Sequence, residues 1–202
     1  MAGQPSDTRQ QIADAAVQMF RQYGYAKTTV GDIAKACSMS PANIYRFYPS
    51  KDAIIEELAR VMTKRKEEAI EEIARKPISA SDRLEEFACN ILWSNRTELV
   101  EDVHMYELVS VCIEKHWPVI DGHMAEVRRL IATIIQDGID KGEFTIDHAA
   151  DAADIVFNCM CKFHHPQMLA QHLNQPLESQ VRAVVQLLCR GMRSKELLRT
   201  VS

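Results

Sequence analysis

The 202-residue sequence predicts an all-α protein. Three observations point there. Apolar residues recur at three- and four-residue spacing, the alternating polarity of half-buried strands is missing, and only seven glycines and seven prolines punctuate the chain. The expected architecture is an N-terminal three-helix helix-turn-helix domain at 1–52, a linking helix to about residue 75, and a second helical domain within 53–202.

Each element has its own signal. Ile12, Ala15, Ala16, Met19 and Phe20 share one helical face, Asp7 is the expected N-cap, and Gly24 supplies the stop. Thr29 caps a short second helix, with Asp32 three residues on as an approximate capping box. The turn Cys37-Ser38-Met39-Ser40 follows. Ser40 then caps a very short third helix whose first residue is Pro41, a position that suits proline. Ser50 caps a fourth helix running from Lys51 to about Arg75, where charges spaced i,i+4 support it and Pro77 ends it. Further helices are expected near 81–95, 97–115, 118–141, 147–165 and 176–192, with breaks at Pro118, Gly142, Pro166 and Pro176.

Composition narrows the class. Apolar content of 47% and charged content of 26% are globular values. The first eleven residues lack the apolar core of a signal peptide, and no apolar stretch reaches the roughly 18 residues that span a bilayer, so a cytoplasmic location is expected. Six cysteines at 37, 89, 112, 159, 161 and 189 form no C-x-x-C pair and read as small buried hydrophobes. No G-x-S-x-G, phosphate loop or H-E-x-x-H is present, so nothing suggests an enzyme. The net charge of −4 is unevenly spread: residues 1–51 hold six Lys/Arg against three Asp/Glu, and the rest holds 18 against 25. A cationic head on an acidic body keeps phosphate attraction local.

Two short helices joined by a tight turn, beside a supporting helix, can place one helix in a DNA major groove. Thr29 and Ser40 sit at helix N-termini, where unpaired N–H groups favour phosphate. Tyr45 can donate to a phosphate oxygen, and Lys51 can approach the same backbone. On the short third helix, Pro41 and Ala42 can touch thymine methyls, Asn43 can pair with adenine, and Arg46 can pair with guanine or meet a phosphate.

Residues 8–58 resemble the DNA-binding domain of the tetracycline-repressor family. The resemblance rests on Phe20, Gly24, Thr28-Thr29-Val30, Ile33-Ala34, Tyr45 and Ser50-Lys51. It implies phosphate contacts by Tyr45 and Lys51, with Thr28 and Thr29 beginning the motif. Two positions depart from the pattern. Ser38 stands where the family usually has glycine, in a turn that needs positive φ, and Phe47-Tyr48 stands where it often has His-Phe, leaving Tyr48 to replace the histidine's phosphate contact.

One head reads few base pairs, so a two-fold dimer on a palindromic operator is expected. The apolar stripe Val181, Val184, Val185, Leu188 and Met192, with Ala153 on the preceding helix, is the candidate dimer surface; the alternative is packing inside its own subunit. The resemblance implies dimerisation through a four-helix bundle and a ligand that alters the spacing of the heads. Trp93, His104, Met105, Leu108, Cys112, Trp117, Phe157, Met160 and Cys161 are the candidate pocket for a small organic effector, against plain core packing. Cys161, His164, His165 and Met168 fall at i, i+3, i+4 and i+7, but Pro166 is expected to break the helix within them, so neither metal nor cofactor is expected. The reading is a ligand-responsive repressor; the alternatives are a metal- or thiol-redox-sensing regulator and, in another class, a helical interaction adaptor or an enzyme.

Overall fold

The computed structural model describes residues 5–101, 103–115 and 118–194. Among these all the regular secondary structure is helical, with no strand. In order the helices are α1 (Pro5–Tyr23), α2 (Val30–Ala36), α3 (Pro41–Phe47), α4 (Lys51–Ala74), α5 (Ala80–Glu101), α6 (Val103–Glu114), α7 (Pro118–Asp140), α8 (Ala149–Cys159), α9 (Cys161–His164), α10 (Pro166–Ala170) and α11 (Leu177–Met192). None of them is long and apolar enough to cross a membrane.

The chain forms two compact units that do not follow chain order. One comprises Met1–Lys64 with Glu98–Asp121; the other comprises Arg65–Thr97 with Gly122–Ser202. In the first, Ile12, Ala16 and Phe20 of α1 meet Ile33 and Ala34 of α2, Ile44 of α3 and Ile54, Ile55 and Leu58 of α4. Leu108 and Cys112 of α6, distant in sequence, join this core. α1 and α6 come close at Gly24, where an added Cβ would lie 3.2 Å from the His104 ring.

The second unit buries Phe87 and Leu92 of α5, Ile131 and Ile134 of α7, Val156 and Phe157 of α8 and Val181 and Val185 of α11. Its α5 begins on a carboxylate: Glu143 accepts from the backbone N–H of Ala80 (2.7 Å) and Ser81 (3.0 Å). That satisfies two of the four free donors at the helix start and places negative charge at the positive end of the dipole.

The structure differs from expectation at several boundaries. α1 begins at Pro5, so Asp7 lies in its first turn rather than capping it. α5 runs on to Glu101 instead of stopping near 95, because no glycine or proline interrupts residues 81–101. The helix expected over 147–165 ends at Cys159, and Pro166 opens a short new one.

Candidate functional site

The two short helices are fixed by their caps. Thr29 and Asp32 form a full capping box: the Asp32 N–H donates to Thr29 Oγ1 (3.2 Å), and the Thr29 N–H donates to Asp32 Oδ2 (2.8 Å). The Thr29 hydroxyl also donates to that carboxylate at 2.6 Å. Hydrogen bonds from the Thr29 side chain and backbone hold the Asp32 carboxyl below its usual range, so an anion occupies the α2 N-terminus. The hydroxyl that the sequence offered to phosphate is therefore engaged within the protein. Ser40 Oγ accepts from the Asn43 N–H (3.2 Å) and caps α3.

The turn between these helices has Schellman geometry. Ser38 N–H donates to Lys35 O (3.1 Å) and Met39 N–H to Ala34 O (2.8 Å), with Ser38 left-handed at φ 56. It is the one non-glycine with positive φ among the described residues, at the position where the turn called for glycine.

On α3, Pro41, Ala42, Tyr45 and Arg46 are exposed, Asn43 is half-buried, and Ile44 faces the core. Tyr45 keeps 52% of its surface although it is a large aromatic. These side chains form one solvent-facing patch, as a groove-reading helix requires.

Three predicted contacts turn inward instead. Thr28 is buried, its hydroxyl donating to Gly24 O at 2.8 Å. Tyr48 is buried, its hydroxyl donating to Arg9 O (3.3 Å) while the Arg9 guanidinium lies 4.5 Å from its ring centre. Lys51 Nζ donates to Tyr25 O (2.9 Å) and Thr28 O (3.0 Å) and sits 3.9 Å from the Tyr25 ring centre. Lys51 thereby partners two carbonyls, Tyr25 O and Thr28 O, whereas Gly24 O also accepts from the Thr28 N–H, so the Thr28 hydroxyl adds a second bond there. Lys51 and Tyr48 are therefore braces of the head in this structure.

A further clasp was not read from the sequence. Lys115, just beyond α6, donates to Tyr25 Oη (3.0 Å) and to Asp52 Oδ2 (2.8 Å), and the Tyr25 hydroxyl donates to Asp52 Oδ1 (3.0 Å). The Lys115 hydrogen bond leads the causes that hold the Asp52 carboxyl low. With Lys115 90 positions beyond Tyr25, no local pattern could have revealed it.

The predicted effector residues separate. Leu108 and Cys112 are core residues of the first unit, and burial pushes the Cys112 thiol up to about 12. His104 is half-buried, its Nδ1 3.3 Å from Glu107. Trp93 is 50% exposed beside Arg96, so it is a surface side chain. Trp117 and the side chain of Met105 lie outside the described residues. In the second unit Phe157 and Met160 are buried and Cys161 is half-buried.

Beside Phe157 stands a polar set of which the sequence singled out only His164. The His164 ring centre is 4.7 Å from that of Phe157, and the Arg128 guanidinium is 4.0 Å away. His123 Nδ1 meets Glu67 at 2.7 Å, Lys66 donates to Asn95 (2.9 Å), and Asn95 donates to His164 O (3.3 Å). Burial pushes His164 down to about 4 and lowers His123, against the pull of Glu67.

The candidate dimer stripe divides by exposure. Ala153, Val181, Val185 and Met192 are buried within their own unit, so packing inside the subunit claims them. Val184 and Leu188 are half-buried, while Leu187 (71%) and Ile155 (39%), outside the stripe, are exposed. Leu187 lies three residues from Val184, at helical spacing from the stripe.

Comparison with known proteins accounts for this arrangement. Residues 12–58 match the bacterial regulatory proteins of the tetR family, and residues 80–185 match the tetracyclin repressor-like C-terminal domain. The chain belongs to the tetracycline-repressor family. It is therefore a member of a family of helix-turn-helix transcriptional regulators and repressors. The HTH-type transcriptional regulator AcrR of Shigella flexneri is 27% identical over 147 residues, 72% of this chain and 66% of that protein. Among solved structures, a transcriptional regulator of Cytophaga hutchinsonii aligns with a TM-score of 0.69 at 20% identity, covering 92% of this chain and 98% of that one. FadR of Bacillus subtilis, solved in complex with stearoyl-CoA, aligns at 0.66 and 20% identity, covering 89% and 97%. Within the family pattern, Ser38 is the departure with a visible backbone consequence.

Proposed function

We propose that this regulator binds a two-fold symmetric DNA site as a homodimer in the cytoplasm, represses transcription from it, and is controlled by a small organic effector in its second unit. The observation that carries the DNA-reading part is the exposed patch Pro41, Ala42, Tyr45 and Arg46 on a helix capped by Ser40 and preceded by a helix locked by the Thr29–Asp32 capping box. Tyr45 fixes register on the phosphate backbone, and Ala42, Asn43 and Arg46 read base edges. Residues 1–52 carry this role, and residues 53–202 supply dimerisation and effector response.

Leu187, Val184 and Leu188 of α11 with Ile155 of α8 supply an unsatisfied apolar face suited to a second copy. For the effector, the supporting feature is the linked set of polar groups beside the buried Phe157: His123 with Glu67, Lys66 with Asn95, Arg128 and His164. A site of this kind suits a mainly apolar molecule with a few hydrogen-bonding groups.

The test is selection of binding sites from a random-sequence duplex library by the full-length protein. Recovered sites should be palindromic, and affinity should fall steeply with salt as counterions are released. Recovery of no common sequence, or affinity indifferent to Tyr45→Phe combined with Arg46→Ala, would refute the assignment of the reading helix.

A further inference from the structure

The run from Cys159 to Met168 is rich in soft side chains, and the helix break at Pro166 argued against a metal there. The structure changes that argument. Pro166 does open a new helix, but the junction is tight: the His165 N–H donates to Cys161 O and the Leu169 N–H to His165 O, each at 2.9 Å. The chain thus folds Met168 back over Cys161, and Cys161 Sγ lies 3.6 Å from Met168 Sδ. Cys161 is half-buried and Met168 is 40% exposed, so solvent reaches this sulfur pair. His164 leaves the set, because its ring faces Phe157. His165, between the two sulfurs in sequence, has a buried Nδ1 with no hydrogen-bond partner.

We propose that Cys161 and Met168 form a two-sulfur binding site for a soft monovalent cation, copper(I) or silver(I). Thiolate and thioether together select copper(I) over harder ions. A two-coordinate monovalent ion holds its sulfurs nearly in line, about 4.6 Å apart for bonds of about 2.3 Å, so the flexible Met168 side chain opens the pair by about 1 Å to admit it. Zinc is the poorer fit: it takes four ligands, and among the described residues no three histidine, cysteine or carboxylate side chains converge on one point. Binding replaces the Cys161 S–H bond by an S–metal bond and releases one proton to solvent, with no change of oxidation state. The site stands independently of the organic effector.

The experiment is an anaerobic titration of the reduced, full-length protein with copper(I) in competition with the chromophoric chelator bicinchoninate. One equivalent per chain should bind. Cys161→Ser should abolish it, and Met168→Leu, which conserves volume, should weaken it by roughly tenfold or more. Cys159→Ser should leave it unchanged, since that thiol is exposed and outside the pair. X-ray absorption of the bound metal should show a sulfur shell. Failure to compete for copper(I), undiminished affinity in both Cys161→Ser and Met168→Leu, or loss of the equivalent in Cys159→Ser would each overturn the proposal. Thermal unfolding of each variant separates a lost ligand from a lost fold.

Discussion

Replacing Ser38 with glycine should stabilise this protein. Ser38 occupies the left-handed C′ position of the turn that ends α2, at φ 56, and the turn needs that conformation to satisfy Ala34 O and Lys35 O. A β-carbon there costs roughly 1–2 kcal/mol relative to glycine. Glycine also gains unfolded-state freedom, which returns about 0.4–1 kcal/mol of that advantage. The Ser38 side chain is exposed, and its hydroxyl makes no hydrogen bond among the described residues, so its removal costs little. The balance is a gain of about 0.5–1 kcal/mol. Urea denaturation followed by far-UV circular dichroism, at fixed protein concentration, reads it as a higher midpoint with unchanged slope. Ser38→Ala, which keeps the β-carbon, should stay near the parent. A Ser38→Gly midpoint at or below the parent's, or an equal gain in Ser38→Ala, would refute the strain argument.

Four further outcomes follow from the geometry. Lys51→Ala should lower stability by about 1–3 kcal/mol in the absence of DNA, since it strips two carbonyls of their partner; Tyr45→Phe should leave stability alone and weaken only DNA binding, as denaturation and fluorescence anisotropy would show. Leu187→Arg should convert a dimer to a folded monomer in light scattering, because the side chain is exposed in the subunit; an unchanged mass would move the interface elsewhere. Burial tends to raise the Glu143 pKa, but hydrogen bonds from Ser81, Ala80 and Arg193 outweigh it and set it below its ordinary 4.5. Its stabilising contribution is thus full above that value and is lost as pH falls through the depressed folded pKa. Glu143→Ala should accordingly cost about 2 kcal/mol at pH 7. That difference should shrink on acidification, which paired denaturation curves at neutral and acid pH would test.

The sequence by itself determined what is local. Helical periodicity announced α1, α4, α7 and α11, and the capping signals at Thr29, Ser40 and Pro41 set the starts of the two short helices to the residue. The need for positive φ at Ser38 was legible too, because caps and turns depend on residues within one turn of each other. The exposed patch of α3 followed from the same local geometry. Side-chain destinations did not. Thr28, Tyr48 and Lys51 read as DNA-facing, and the tertiary structure spends them on backbone carbonyls at Gly24, Arg9, Tyr25 and Thr28. Leu108 and Cys112 carry no mark that assigns them to the core of the first unit rather than to a pocket, since apolar burial has no direction in sequence. Val181 and Leu187 share one amphipathic helix, yet neighbouring helices cover the first and leave the second to solvent. The Cys161–Met168 pair shows the same division: the sequence supplied the soft side chains and the proline between them, and only the fold of the α9–α10 junction brought the sulfurs together. Contacts between residues far apart in the chain depend on which faces meet, and that is decided by packing.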